Sequence, residues 1–205
     1  MTIADIIDSS TGDQLTSNVF YYTFSAPDEI LEILPRSYHE TMWCQKFGEH
    51  LLKYEPNITD LAPRSMQDSF TSVIIPLSSD KSLQDQYVAF LGHVRLGRLM
   101  EDMDMFAVWV CHQHVHVPSL PADVHLPYTF VTILVDKVTF SDVQTRATED
   151  IRMSGHVSWV GRSSMEIFVW LEQKENGSWR KITRALFLMT ARNATNTGAA
   201  PVNPI

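Results

Sequence analysis

The sequence predicts an α+β domain in which an antiparallel sheet of about five strands wraps around one long helix. Three observations predict it: an uninterrupted apolar stripe at helical spacing between residues 95 and 114, one strand-like segment before that stripe, and four strand-like segments in series after it. One long helix cannot cover its own apolar stripe, whereas a sheet curved around it can. The expected architecture therefore has two layers, one sheet and one helix.

The long helix is predicted from about Arg95 to His114, a length of roughly 30 Å. Its apolar stripe, which no proline interrupts, consists of Leu96, Leu99, Met100, Met103, Ala107, Val110 and Cys111. Its outer face is predicted to carry Arg95, Arg98, Glu101, Asp102 and His112. Asp104 breaks the pattern because it falls on the apolar stripe. A carboxylate there must be hydrogen-bonded, neutralised or used in chemistry.

The residues before the helix divide into an extension and one strand. Residues 1–65 are predicted to form a partly helical N-terminal extension, with helical patterns at Asp28–Leu34 and Tyr38–Tyr54. The segment Ser69–Leu77 has the β-branched and apolar composition of a strand and ends next to a proline. Residues 78–86 are polar, which favours a loop or a turn of helix.

After the helix, a connection rich in proline and histidine leads to four predicted strands. These are Tyr128–Phe140, Ile151–Val160, Ser163–Gln173 and Ser178–Ala191. Gly161-Arg162 and Glu175-Asn176-Gly177 separate the last three strands, and both sequences are typical of hairpin turns. We assign residues 66–192 to the domain, and residues 193–205 to a C-terminal tail or linker because they are rich in asparagine, alanine and proline.

Composition and charge exclude several classes of protein. With 44% hydrophobic and 10% aromatic residues, the 205-residue chain can bury a sizeable core. The net charge of −8 is concentrated in residues 1–60, and the chain lacks the basic stripe of a nucleic-acid-binding protein. No apolar run reaches the length of a membrane span. The first residues are acidic and lack arginine, which argues against a transit peptide.

Neither the histidines nor the cysteines form a metal-binding pattern. Four histidines cluster at and after the end of the long helix without an acidic ligand between them: His112, His114, His116 and His125. The two cysteines, Cys44 and Cys111, lack the paired spacing of a zinc site, and buried thiols in a reducing compartment are the expectation. We therefore predict no metal and no cofactor.

Two segments, RLGRLMEDMD (Arg95–Asp104) and SGHVSWVGRSSMEI (Ser154–Ile167), resemble the N-terminal hotdog unit of the double-hotdog acyl-CoA thioesterases, most closely the mitochondrial acyl-CoA thioesterase 9 type. Three later segments fit the same family in the same order: VTILVDKV (Val131–Val138), ALFLMTARN (Ala185–Asn193) and GAAPVNP (Gly198–Pro204). The last of these leads, in that family, into a second hotdog. The resemblance runs from about Met66 to the end and implies the hotdog fold.

This resemblance implies hydrolysis of fatty acyl-CoA to a free fatty acid and CoA, without metal. In the family, a helix carboxylate and a loop asparagine from different hotdog units activate water and hold the thioester carbonyl. The carboxylate corresponds to Asp104, as general base or nucleophile. The asparagine position corresponds to Gly92-His93, where no asparagine stands. His93 and the free first-turn amides near Gly97 are therefore the candidate donors to the carbonyl oxygen.

The resemblance also implies the ligand and the partner. The positions that contact CoA in the family are here Ile133, Leu134, Val135, Ser163, Ser164 and Met165. The neighbouring Arg162 lies in a turn and suits a phosphate group. The expected partners are the acyl-CoA substrate and a second hotdog unit, as a homodimer, with neither nucleic acid nor membrane. The implied location is mitochondrial, with the cytoplasm as the alternative.

Each candidate residue also has a plainer interpretation. Asp104 would be a structural carboxylate, Gly97 a point of close packing between helix and sheet, and His93 an ordinary loop residue. The turn at Arg162 would simply be solvated. The alternative function is a non-catalytic hotdog module that binds acyl-CoA or dimerises without turnover. A hotdog dehydratase is a third hypothesis, although the Asp/His signature of a hydratase loop is not apparent.

Overall fold

Five strands and two helices lie within residues 48–140 and 145–205, the parts of the chain that the computed structural model describes. The strands are β1 (Thr71–Ile75), β2 (Tyr128–Phe140), β3 (Ile151–Val160), β4 (Ser164–Glu175) and β5 (Ser178–Asn193). The helices are α1 (Lys81–Tyr87) and α2 (Leu96–His114). Three short 3-10 segments precede β1, at Glu49–Tyr54, Ile58–Asp60 and Met66–Ser69. The predicted order of one strand, a long helix and four strands is confirmed.

The five strands form one antiparallel sheet in the order β1-β3-β4-β5-β2. The hairpin between β4 and β5 turns at Asn176-Gly177, where both residues have positive φ, as a two-residue turn of this kind requires. Strand β2 precedes β3 in the chain but pairs with β5. The connection of residues 115–127 therefore carries the chain from the end of α2 to the far edge of the sheet.

Helix α2 supplies the centre of the core. Six of its apolar residues have no exposed surface: Leu99, Met103, Phe106, Ala107, Val110 and Cys111. Inward-facing residues of the sheet are equally buried, among them Met153, Ile167, Val169, Phe187 and Met189. The alternating burial along β4 shows that one face of the sheet is packed on the helix. The predicted wrapping of the sheet around α2 is thus confirmed.

Three details of the predicted helix are wrong. His112, predicted on the outer face, packs its ring against Phe130 and has a buried Nε2. Leu96, predicted on the apolar stripe, is 46% exposed and is the first residue of α2. Asp102, placed on the outer face, is only 2% exposed. The reason is α1, which forms in the polar segment where a loop or a turn of helix was predicted. Its last residue, Tyr87, is fully buried and hydrogen-bonds Asp102.

The C-terminal tail packs on the domain. Ala200, Val202 and Asn203 are buried, and the Asn203 side chain donates to the carbonyls of Ala62 and His116 at 3.0 and 3.1 Å. The tail therefore joins the end of the N-terminal extension to the residues after α2. The predicted helical pattern at Asp28–Leu34, and the first part of the second pattern, lie outside the described residues. The proposed domain boundaries stay a prediction.

His112 makes the stability of the fold sensitive to acid. Its Nδ1 donates to the Val108 carbonyl at 2.9 Å, and its ring meets the Phe130 ring edge-on at 4.7 Å. Burial lowers the pKa of His112 to about 4. Because an unfolded histidine titrates near 6.5, the unfolded chain binds this proton first, and stability falls as the pH drops from about 6.5 to 4. The loss amounts to roughly 3 kcal/mol.

We expect His112→Phe to lose less stability than the wild type over this pH range, since phenylalanine keeps the ring contact and cannot be protonated. Chemical denaturation at several pH values measures the difference. Burial raises the pKa of Asp102 to about 6, so this carboxyl increases stability as the pH falls from about 6 to 3.8. This contribution is the same in the wild type and in His112→Phe. His116→Gln, at an exposed neighbour, is the control. Identical pH dependence in wild type and His112→Phe would contradict the prediction.

Candidate active site

Asp104 is hydrogen-bonded to Thr132, a residue that was not among the candidates from the sequence. Asp104 is half-buried on α2, and its Oδ1 accepts a hydrogen bond from Thr132 Oγ1 at 2.5 Å. The Thr132 hydroxyl also lies 3.2 Å from Met189 Sδ of β5. The register of β2 shifts between Thr132 and Leu134, which leaves Ile133 unpaired at a bulge. Asp104 is therefore a hydrogen-bonded carboxylate at the junction of helix and sheet.

A signal for Thr132 was present in the sequence. Residues two apart on a strand share one face, so Thr132 lies on the same side of β2 as Phe130 and Tyr128. Both aromatic residues are buried and stack at 5.7 Å. A hydroxyl on an otherwise apolar inward face needs a hydrogen-bond partner. Asp104, a carboxylate on the apolar face of the predicted helix, needs one as well, so the sequence pattern already indicated that the two could pair.

The predicted carbonyl-binding loop connects α1 to α2. Main-chain contacts hold its two ends together: the Ala89 amide donates to the His93 carbonyl at 2.7 Å, and Val88 forms an antiparallel β-bridge with Val94. Gly92 supplies a positive φ of 79° at the tip. The half-buried His93 ring points its Nδ1 at the Thr145 carbonyl, 3.3 Å away. A neutral ring that donates there has only an acceptor left at Nε2, so His93 can donate to a ligand only when it is protonated.

The start of α2 has unused hydrogen-bond donors. Arg95 occupies the N-cap without a side-chain capping bond, and the first helical hydrogen bond runs from the Leu99 amide to the Arg95 carbonyl at 3.2 Å. Within the described residues, the amides of Leu96, Gly97 and Arg98 have no main-chain acceptor. A Cβ on the exposed Gly97 would meet nothing within 4 Å. Within the part of the chain that the structure describes, the close packing that was one interpretation of Gly97 is therefore absent.

One chain does not bring these groups together. Asp104 lies seven positions after Gly97 on one continuous helix, which corresponds to about 10 Å along the axis. A group that binds a carbonyl oxygen must lie within hydrogen-bond reach of it, about 3 Å. Asp104 and the free amides of the same chain therefore cannot act on one carbonyl group.

The predicted CoA-binding residues lie on two elements. Ile133, Leu134 and Val135 are exposed on the edge strand β2. In the β3–β4 turn, Arg162 is exposed and Ser163 and Ser164 are half-buried. The side chain of Met165, by contrast, is fully buried in the core and can offer a ligand only its main chain.

The sheet register relates this turn to the carboxylate. Met165 of β4 pairs with Met189 of β5, which pairs in turn with Thr132 of β2. Two strand spacings, about 10 Å, therefore separate the turn from Thr132 along one line across the sheet. The turn and the Asp104–Thr132 pair lie at the same end of the sheet.

Residues 48–140 and 145–205 contain no group of three or more His, Cys, Asp or Glu side chains that could hold a metal ion. In the same residues no helix has the length and apolarity to cross a membrane. Burial raises the pKa of the Cys111 thiol well above its usual range, which leaves it protonated and unreactive. Cys44 lies outside the described residues.

Comparison with known proteins identifies relatives of one activity. The chain is 40% identical over 146 residues to acyl-coenzyme A thioesterase 9, mitochondrial, of Mus musculus, a match covering 71% of this chain and 33% of that protein. It is 38% identical over 145 residues to the protein of the same name from Homo sapiens, covering 71% and 32%. The chain thus spans about a third of the length of the curated relatives it matches. No protein-family model matches it.

Solved structures confirm the fold. A hexameric acyl-CoA thioesterase superposes with a TM-score of 0.54 at 19% identity, covering 70% of this chain and 81% of that one. A variant acyl-CoA hydrolase from Staphylococcus aureus in complex with coenzyme A superposes with a TM-score of 0.55 at 20% identity, covering 71% of this chain and 77% of that one. The sheet wrapped around α2 is therefore a hotdog fold.

Proposed function

Because this chain belongs to the acyl-CoA thioesterase family and has the hotdog fold, we propose that it hydrolyses fatty acyl-CoA to a free fatty acid and CoA, without a metal or another cofactor. The observation that carries the proposal is the Asp104–Thr132 pair. A half-buried carboxylate, oriented by a hydroxyl 2.5 Å away, lies on the central helix, and we assign it the role of the family's helix carboxylate. This arrangement suits a general base or a nucleophile.

In the proposed reaction, Asp104 acts on the thioester carbonyl carbon through water or directly. As a base, it takes a proton from water while the water oxygen bonds to the carbonyl carbon. The C–S bond then breaks, and the proton passes to the departing CoA thiolate. As a nucleophile, the carboxylate oxygen bonds to the carbonyl carbon while the C–S bond breaks and CoA leaves as a thiolate. Water then hydrolyses the mixed anhydride to the fatty acid and free Asp104, and a proton from that water passes to the thiolate. In both routes Thr132 holds Oδ1 and leaves Oδ2 for the reacting molecule.

The carbonyl oxygen is bound, in this proposal, by the loop of a second hotdog unit. The free amides near Gly97, together with His93 when protonated, are the donors. The separation of about 10 Å between Gly97 and Asp104 along one helix supports a site shared between two units. A homodimer supplies two such sites, each pairing the carboxylate of one chain with the loop of the other.

For the CoA moiety we propose the exposed edge of β2 at Ile133–Val135 and the turn at Arg162–Met165. The apolar strand edge suits the pantetheine arm, and the Arg162 guanidinium suits a phosphate. The curated relatives are mitochondrial by name, and we propose the same location for this chain, with the cytoplasm as the alternative.

Arg162→Glu is expected to weaken CoA binding about tenfold or more, since it replaces a charge-assisted contact with repulsion of the phosphate. Raised salt should reduce the difference in CoA affinity between the variant and the wild type, because it screens both the attraction by arginine and the repulsion by glutamate. Titration calorimetry with CoA measures the affinities. Lys174→Glu, exposed near the opposite end of β4, makes the same charge change as a control. Equal affinity of Arg162→Glu and wild type would remove Arg162 from the site.

Steady-state release of CoA thiol by the purified protein, with short-, medium- and long-chain acyl-CoA, tests the proposed function. We expect turnover of at least one chain length and saturation with substrate. Sedimentation of the same sample tests the shared site, for which we expect a dimer or larger assembly. Binding of acyl-CoA without turnover at any chain length would favour the non-catalytic hotdog module instead.

A further inference from the structure

A second carboxylate of α2, Asp102, lies in a buried group of contacts that the proposed reaction does not use. Its Oδ2 accepts a hydrogen bond from the Tyr87 hydroxyl at 2.6 Å, and its Oδ1 lies 3.3 Å from Arg98 Nη2. The Arg98 guanidinium also lies over the Tyr87 ring, 5.6 Å from its centre. Tyr87 and Asp102 are almost completely buried, so the Tyr87 hydroxyl depends on Asp102 for its acceptor, and Asp102 depends on Tyr87 and Arg98 for its donors.

Tyr87 connects this group to the loop between the helices. Its side chain reaches Asp102 in the second turn of α2, and its main-chain carbonyl accepts the amide of Arg95, the N-cap of α2, at 2.7 Å. The loop of residues 88–95 begins directly after Tyr87 and ends at Arg95. One residue therefore holds both ends of the loop that precedes the free amides.

The other attachments of the loop are longer. On its far side the Val94 amide lies 3.3 Å from the Thr145 carbonyl, and the Ala147 amide lies 3.4 Å from the Gly92 carbonyl. These neutral bonds are near the upper limit of hydrogen-bond length, whereas the Tyr87–Asp102 bond is short and involves a carboxylate. The shortest hydrogen bonds between the loop region and α2 therefore both involve Tyr87, and Asp102 is the acceptor of the one that its side chain makes.

We propose that Asp102 is a positioning residue: through Tyr87 it holds the 88–95 loop, with His93, beside the free amides of α2, so that both meet the thioester carbonyl bound by the neighbouring unit. This inference rests on the proposed function. Asp102 does not touch substrate in this scheme. Asp102 of one chain acts in the site that contains Asp104 of the other chain, although within each chain both carboxylates are on the same helix.

The pKa shifts of Asp102 and Tyr87 agree with a hydrogen bond from the tyrosine hydroxyl to the carboxylate. Burial raises the pKa of Asp102 to about 6, while the Tyr87 hydroxyl and the Arg98 charge oppose the rise. Burial and the carboxylate together raise the pKa of Tyr87 far above its usual value. The charged groups that face Asp102 are Arg98 and Glu101 of α2, and Tyr87 faces it from α1. Above pH 7, Asp102 is therefore an acceptor and Tyr87 a donor.

We expect Asp102→Asn and Tyr87→Phe each to lower kcat by ten- to a hundredfold, with KM changed less than about twofold, because a carbonyl donor displaced by a fraction of an ångström loses most of its effect. The amide oxygen introduced by Asp102→Asn accepts only a weaker, uncharged hydrogen bond from Tyr87 and no longer pairs with Arg98, so the loop is held less firmly, although this variant should fold even if Tyr87→Phe does not. Glu101→Gln is the matched control: Glu101 is exposed, adjacent, and also contacts Arg98, at 3.2 Å. We expect it to retain wild-type kcat.

A mixed dimer separates positioning across the interface from a structural effect within one chain. Chains carrying Asp102→Asn and chains carrying Asp104→Asn are co-expressed with different affinity tags, and the mixed dimer is purified through both tags. One of its two sites combines the intact Asp104 with the intact loop, so we expect about half the wild-type rate per dimer, although each homodimeric variant is impaired.

A mixed dimer as impaired as its parents would overturn the inference, since Asp102 would then act on its own chain. Wild-type kcat in homodimeric Asp102→Asn would overturn it as well, while leaving the proposed function intact. Absence of turnover in the wild type would refute the proposed function, and this inference with it.

Discussion

Asp104→Asn is expected to lower kcat for acyl-CoA hydrolysis about a thousandfold while the protein stays folded. The asparagine oxygen can still accept the Thr132 hydroxyl, so the junction of α2 and β2 keeps its hydrogen bond. The amide cannot take a proton from water, nor attack the thioester. Thiol release in steady state measures the rate, and thermal unfolding shows whether the fold survives. The effect is on kcat because the carboxylate acts on the reacting bond.

The matched control for this change is Asp123→Asn, which replaces an exposed carboxylate in the loop before β2. We expect it to retain wild-type kcat and thermal stability. If Asp104→Asn were as active as Asp123→Asn, Asp104 would be a structural carboxylate. The catalytic mechanism proposed for this chain would then be wrong.

Gly155→Ala is expected to destabilise the fold by about 1–3 kcal/mol, or more if the core cannot adjust. A Cβ at this position of β3 would lie 2.8 Å from the Phe168 carbonyl oxygen and 2.9 Å from Phe106 Cε1. Neither atom moves easily, because the first belongs to the backbone of β4 and the second to a fully buried ring of α2. For a domain of this size the melting temperature should fall by several degrees.

Gly97→Ala provides the comparison for Gly155→Ala. Its Cβ would meet nothing within 4 Å, and alanine favours the helix by up to about 1 kcal/mol. We therefore expect Gly97→Ala to leave the melting temperature unchanged or slightly higher. Equal melting temperatures for Gly155→Ala and wild type would show that α2 and the sheet do not approach as closely as the structure describes.

The elements of this protein were predictable from the sequence because their signals are local. The repeat of apolar residues from Leu99 to Cys111 identifies α2 without reference to any other part of the chain. The turn residues Asn176 and Gly177 similarly identify the β4–β5 hairpin, since only certain residues adopt positive φ easily. Asp104 was recognisable as a candidate because a carboxylate on an apolar face is unusual wherever it occurs.

The partners of the polar residues were decided by the tertiary structure alone. Asp102 had the sequence context of a surface residue, yet Tyr87, 15 positions earlier, buries it and supplies its hydrogen bond. Thr132 meets Asp104 across 28 positions, only because β2 lies beside α2. The periodicity of a segment reports which of its faces is apolar, but not which other segment covers that face. That second choice depends on long-range packing, and it gives Asp104 and Asp102, two positions apart on one helix, their different surroundings.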